Sequence, residues 1–224
     1  LPPIREVLTY YHIDFATYAI ILFHPDTTDL AATEHAVSEI VAATLASAHN
    51  YVVIYPNNDQ GNDLIFRAYE QLQGNPRFQL FPSMRFEYFL SLLKNAQFII
   101  GNSSVGIREA PVYGVYSLNI AGRQRSRFDH ASIINLDCNR DVILTTINNL
   151  SSRPPQAPCF HFGHGDSASR FLTTLRSPQL WQTPTHKLFM DIPTDCFSAE
   201  ITSTSLPSGS SLSNTEGSEN HTGT

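Results

Sequence analysis

Apolar and polar positions alternate along this chain with two different periods. Short, β-branched apolar runs at Ala19–Phe23, Tyr51–Tyr55, Phe78–Phe81, Phe98–Ile100, Tyr116–Ile120 and Ser132–Leu136 read as strands. Between them lie longer stretches whose apolar residues return every three or four positions. The stretch Asp29–His49 is the fullest example, with Ala36, Val37, Ile40, Val41, Leu45 and Ala46 on one stripe and Thr27, Thr28 or Asp29 available as the N-cap. A second clear helix is expected over Arg85–Asn95, after Ser83. Strand and helix in alternation predict an α/β domain, a Rossmann-like parallel sheet flanked by helices, whose ligand sits beyond the carboxyl ends of the strands.

The pattern changes at Ser151–Pro158, a Pro/Ser-rich segment that leaves this domain. Helical stretches are expected again over Ser167–Leu175 and Pro178–Met190. Residues 193–224 are dominated by Ser, Thr, Gly and Asn, and a disordered tail is expected there. Residues 1–18 are expected to form a connection into the domain at 19–192.

Composition narrows the partners. A formal charge of -6 with only 14 Lys and Arg in 224 residues argues against a nucleic-acid-binding face, so any bound phosphate is a small, locally held one. No apolar run reaches the length of about 18–20 residues that a membrane-spanning helix needs, and no membrane contact is expected. Three widely spaced cysteines, Cys138, Cys159 and Cys196, do not form a disulfide framework, which fits a reducing, cytoplasmic setting. The opening residues lack a signal peptide and an initiator Met, so the chain is expected to begin within a longer protein. Sequons at Asn102, Asn149 and Asn220 are discounted in that setting.

Polar, mostly glycine-containing junctions follow four of the strands: HPDTTD (His24–Asp29), PNNDQG (Pro56–Gly61), GNSSVG (Gly101–Gly106) and NIAGRQRSR (Asn119–Arg127). In a parallel sheet these junctions share one crevice. Ser103 and Ser104 offer hydroxyls where the N–H groups of the next helix open, an arrangement suited to an anion. Gly106 leaves room for a ligand near the backbone, and Glu109 is placed to accept from a ribose diol. The plainer alternative is a helix cap at Ser103 and a solvated Glu109. His24 is either a structural, hydrogen-bonded residue or an imidazole facing the crevice. Arg123 suits bidentate phosphate contact or is simply solvated, and Asn57 either bonds a phosphate or closes an Asx turn. Cys159, His161 and His164 suggest zinc only weakly, because no second pair has ligand spacing and a short exposed strand explains the alternation equally well. No metal or cofactor is expected.

Taken together, HPDTTD, YPNNDQG, GNSSVGIREAP, GRQRSR and the late FGHGDSASRFL resemble the UDP-N-acetylglucosamine 2-epimerase family. The NSS-x-G-x-RE form is similar to its hydrolysing branch, which feeds sialic or related nonulosonic acid synthesis. The resemblance implies the C-terminal, UDP-binding half of a two-domain glycosyltransferase-B-type fold. It implies phosphate contacts from His24 and Arg123, which would stabilise the leaving group, with Asn57 in the same pocket. It also implies that Ser103 and Ser104 hold the diphosphate and that Glu109 takes the ribose hydroxyls. UDP and a UDP-sugar are the implied ligands, and homo-oligomers are common in the family. The family's acid/base carboxylates lie in its N-terminal half, so this chain alone is expected to bind UDP weakly and turn over little. Three positions depart from the family pattern: Asp26, Gln60 and Tyr116. Two other readings compete, a non-catalytic nucleotide-sugar binding module and a glycosyltransferase C-terminal domain.

Overall fold

The computed structural model describes residues 1–186, which fall into two compact units. The first, Leu1–Ala168, is built on a six-stranded sheet: β1 (Ala19–Leu22), β2 (Tyr51–Ile54), β3 (Phe78–Phe81), β4 (Phe98–Gly101), β5 (Tyr116–Ile120) and β6 (Ile133–Leu136). The spatial order is β3-β2-β1-β4-β5-β6, and every neighbouring pair is parallel. This is the doubly wound Rossmann order, with its reversal between β1 and β4. The predicted strands form within a residue or so of their expected ends.

Alternation along β1 explains the layers. Ala19, Ile21 and Phe23 join one core cluster with α2 (Leu30–Ala46), α3 (Asn62–Glu70) and α6 (Arg140–Asn149). Ile20 and Leu22 join the other, with α4 (Phe86–Asn95) and α1 (Ile4–Tyr10). Both faces are apolar, as a parallel sheet covered by helices requires. The first eighteen residues are part of this packing. Val7 and Ile13 are buried in the second cluster, Ser91 Oγ donates to the Pro2 carbonyl at 2.8 Å, and Tyr11 Oη accepts the Arg85 N–H at 2.9 Å.

Local chemistry sets the helix ends. Asp29 caps α2 by accepting the Ala32 N–H at 2.9 Å. The helix stops at Ala46, three residues short of the expected His49, because Ser47 turns to extended backbone. Its last carbonyls are taken by the Arg77 guanidinium, which donates to Leu45 at 2.9 Å and also to Ser47.

The second unit begins at Ser169. Helix α7 (Ser167–Arg176) runs into it and α8 (Pro178–Gln182) follows. The helix expected to run to Met190 stops at Gln182. Pro184 holds Thr183 in extended backbone (φ -64, ψ 126) and so ends the helix. Residues 187–190 and the tail expected at 193–224, with Cys196, lie outside the described residues. Trp181 is 72% exposed, and its Nε1 donates to the Leu175 carbonyl at 2.7 Å.

Candidate functional site

A parallel sheet brings all its carboxyl ends to one edge, and here the loops after β1, β2 and β4 meet over an open cavity of about 360 Å³. His24, Asn57 and Ser103 supply its polar side. Met84, Phe86 and Phe89, at the start of α4, supply an apolar wall. The sequence reading missed that wall. In sequence these residues look like any apolar stripe of a helix, and only the fold shows that this end of α4 faces the crevice.

His24 is held at one ring nitrogen and at its backbone. The Asn57 N–H donates to His24 Nδ1 at 3.3 Å, which in the neutral ring leaves the proton on Nε2 as a donor. Burial lowers the pKa of His24 below its ordinary value of 6.5, and the nearby Arg123 charge pushes the same way. Asp59 and the Asn57 side chain oppose that shift in part. The imidazole is therefore a neutral hydrogen-bond donor near pH 7. The Asn57 side chain donates to Asp59 Oδ2 at 2.6 Å, so part of its amide is engaged within its own loop.

Ser103 and Ser104 diverge. Ser103 lines the His24 cavity, whereas Ser104 lines a neighbouring recess of about 240 Å³ with Ile107, Arg108, Gln124, Arg127 and Phe162. Ser103 Oγ accepts the Val105 N–H only at 3.4 Å, a long contact that leaves its hydroxyl largely uncommitted. The N–H groups of Ser103 and Ser104 have no hydrogen-bond partner among the described residues. The helix that follows, α5 (Val105–Arg108), is a single turn passing into a 3-10 turn at Ala110–Tyr113, so its dipole is small. The groups this junction could offer an anion are therefore individual N–H and O–H donors.

The two glycines of this junction serve packing. A Cβ on Gly101, whose φ is +147, would enter the Leu22 carbonyl oxygen. A Cβ on Gly106 would strike Ser117 Oγ in β5. The room expected at Gly106 for a ligand is occupied by the sheet itself.

Glu109 is half-buried behind α5. Burial raises its carboxyl pKa above 4.5, only partly countered by Arg108, and Oε2 is enclosed with no partner. Arg123, in the loop after β5, makes no hydrogen bond or ion pair among the described residues, yet its charge is felt at both His24 and Asp26. Asp26 stays ionised because Thr28 donates to it through Oγ1 at 2.6 Å and N–H at 3.1 Å.

One residue known from the sequence only as a sequon ties the site together. Asn102 is 1% exposed. Its Oδ1 accepts the His24 N–H and its Nδ2 donates to the His24 carbonyl, both at 2.8 Å. Its own carbonyl accepts from Gln124 Nε2 at 3.0 Å. Elsewhere, His161 stacks on Phe128 (4.4 Å) and His164 on Phe160 (5.4 Å), while the Cys159 N–H donates to the Pro111 carbonyl at 2.9 Å. The stretch forms a turn in place of a strand, and the described residues contain no group of three or more potential metal ligands.

A family model described as UDP-N-acetylglucosamine 2-epimerase matches residues 4–176. A UDP-N-acetylglucosamine 2-epimerase of Neisseria meningitidis serogroup B is 38% identical over 195 residues, which is 86% of this chain and 52% of that protein. The polysialic acid biosynthesis protein P7 of Escherichia coli is 30% identical over 66% of this chain and 38% of its own length. A crystal structure of the UDP-GlcNAc 2-epimerase of Methanocaldococcus jannaschii with UDP-GlcNAc and UDP superposes with a TM-score of 0.61 at 15% identity, over 76% of this chain and 48% of that one. The fold is thus one half of a two-domain glycosyltransferase-B-type architecture, and the chain spans about half the length of the first of these relatives.

Proposed function

The chain belongs to the UDP-N-acetylglucosamine 2-epimerase family, and from that membership we propose that it is the UDP-binding half of a hydrolysing UDP-GlcNAc 2-epimerase. The reaction would convert UDP-GlcNAc to N-acetylmannosamine and UDP, for sialic or related nonulosonic acid synthesis in the cytoplasm. The observation that carries this reading is the meeting of His24, Ser103 and an apolar wall around one cavity at the switch point, within the field of Arg123.

Each group has a chemical part. The flat, apolar uracil ring suits the surface of Met84, Phe86 and Phe89, which loses exposed area when covered. The diphosphate lies toward His24 Nε2–H, the Ser103 hydroxyl and Arg123, while the Ser104 hydroxyl faces the neighbouring recess. Asn57 holds the imidazole from behind. Glu109 accepts from the ribose diol, which would supply the partners its carboxylate lacks. In the elimination a base removes the C2 proton, the C1–O bond breaks and its electron pair stays on the departing UDP. Water then adds across the resulting double bond to give N-acetylmannosamine. His24 and Arg123 act on the charge that grows at the UDP oxygen, so they lower the barrier as well as the dissociation constant. The base that takes the C2 proton belongs to the other half of the enzyme.

Isothermal titration of UDP and UDP-GlcNAc into this chain tests the reading. Arg123→Ala and Glu109→Gln are each expected to weaken UDP by about tenfold, the loss of one charge-assisted contact. A folded sample that takes up no UDP at millimolar concentration would overturn it.

A further inference from the structure

Three of the loops at the crevice converge on side chains to which the reaction gives no task. The β1–β4 pairing ends in the register Leu22 to Gly101, where the positive φ of Gly101 turns the chain away. Asn102 then continues that pairing with its side chain, because a carboxamide offers one acceptor and one donor in the spacing of a peptide group. Both meet the backbone of His24 at 2.8 Å. From the other side, Gln124 Nε2 donates to the Asn102 carbonyl at 3.0 Å, which fastens the loop after β5 to the same turn. That loop is not relaxed: Ala121 and Ser126, neither a glycine, have φ of 67 and 65. Something must hold it, and Gln124 is the buried residue within it, 4% exposed.

Gln124 also carries a cost. Its Oε1 is enclosed with no partner, so an apolar side chain of the same length would suit the packing at least as well. A glutamine is favoured there only if its one hydrogen bond matters. Arg123 is its immediate neighbour, and the Arg123 charge reaches His24.

We propose that Asn102 and Gln124 are positioning residues: a buried relay that fixes His24 and Arg123 relative to each other, so that imidazole and guanidinium are set for the diphosphate before it arrives. The proposal rests on the UDP reading for its ligand, and on the ligand-free chain for its geometry. Preorganisation of this kind removes an ordering cost from binding and places both groups for the transition state.

The decisive variant is Gln124→Met, which keeps length and volume while removing both the hydrogen bond and the orphaned oxygen. In the ligand-free chain the NMR titration of His24 is followed in the native chain, Gln124→Met, Asn102→Ala and Arg123→Ala. Burial first and then the Arg123 charge hold the His24 midpoint down, against Asp59 and the Asn57 side chain, which raise it. Freeing the Arg123 loop is expected to raise the midpoint in Gln124→Met toward that of Arg123→Ala. Asn102→Ala is expected to raise it as well, by letting the ring into water. Gln124→Met removes one orphaned oxygen but leaves the Asn102 carbonyl without its donor, so the variant is expected to stay folded with a melting temperature lower by about 2–4 °C. Its dissociation constant for UDP is expected to rise tenfold or more. An unmoved His24 midpoint in a folded Gln124→Met chain overturns the proposal, whatever UDP does. A midpoint that moves while the native chain ignores UDP leaves the relay standing and removes the UDP reading.

Discussion

At the scale of single residues the candidate site presents groups with little engagement inside the protein, a neutral imidazole at His24, a hydroxyl at Ser103 and a guanidinium at Arg123. His24 is the case with a measurable sign. Its free pKa lies below 6.5 through burial and the Arg123 charge, and an anionic diphosphate beside it would raise that value in the complex. Between the two values binding takes up a proton, so affinity climbs as pH falls through the bound-state value and levels off below the free one. UDP-GlcNAc, whose phosphates carry no proton in this range, is expected to bind more tightly at about pH 6 than at about pH 8, by at most tenfold per unit. His24→Asn should flatten that profile, as would be read by calorimetry in buffers of different ionisation enthalpy. A profile equally steep in His24→Asn would assign the proton elsewhere. His24, Ser103 and Arg123 were candidates from the sequence because each stands in a polar junction after an apolar run, and the cavity lining includes the first two. Asn102 and Gln124 were not, since a buried amide and a solvated one have the same letter. Only the 1% exposure of Asn102 and its bonded carboxamide show that it cannot carry a glycan.

At the scale of elements, α5 and β5 are fitted to each other at one point. Gly106 faces Ser117 Oγ, so Gly106→Ala is expected to destabilise the domain by about 1–3 kcal/mol, as overpacking does. The double variant Gly106→Ala with Ser117→Ala, which leaves Ser117 Cβ at an ordinary 3.4 Å, should recover most of that loss in thermal melts. Two independent, additive losses would mean that the contact is not the cause. The alternation of periods made the six strands readable, because each strand of a parallel sheet is apolar on both faces. Helix ends were less so. Pro184 stops α8 well before its apolar pattern suggests, and the single-turn length of α5 follows from the 3-10 turn at Ala110–Tyr113, which no spacing rule announces.

At the scale of the molecule, the proposed function gives the described residues the leaving-group side of the reaction. The reading assigns the carboxylates that would exchange the C2 proton to the half of the family's fold this chain does not span. The chain is therefore expected to bind UDP-GlcNAc yet release no N-acetylmannosamine above background when the two are incubated and the sugar products separated. Measurable epimerisation by the isolated chain would show that proton transfer is carried out by residues within these 224. The division into two compact units has a practical side as well. All nine tyrosines lie between Tyr10 and Tyr116, in the first unit, while the single tryptophan, Trp181, lies in the second and is largely exposed. Excitation at the red edge of the aromatic band thus reports on the carboxy-terminal helices alone, and tyrosine signals report on the sheet domain. The chain carries two built-in optical labels, and whether their transitions coincide is a direct reading of how cooperatively the two units melt.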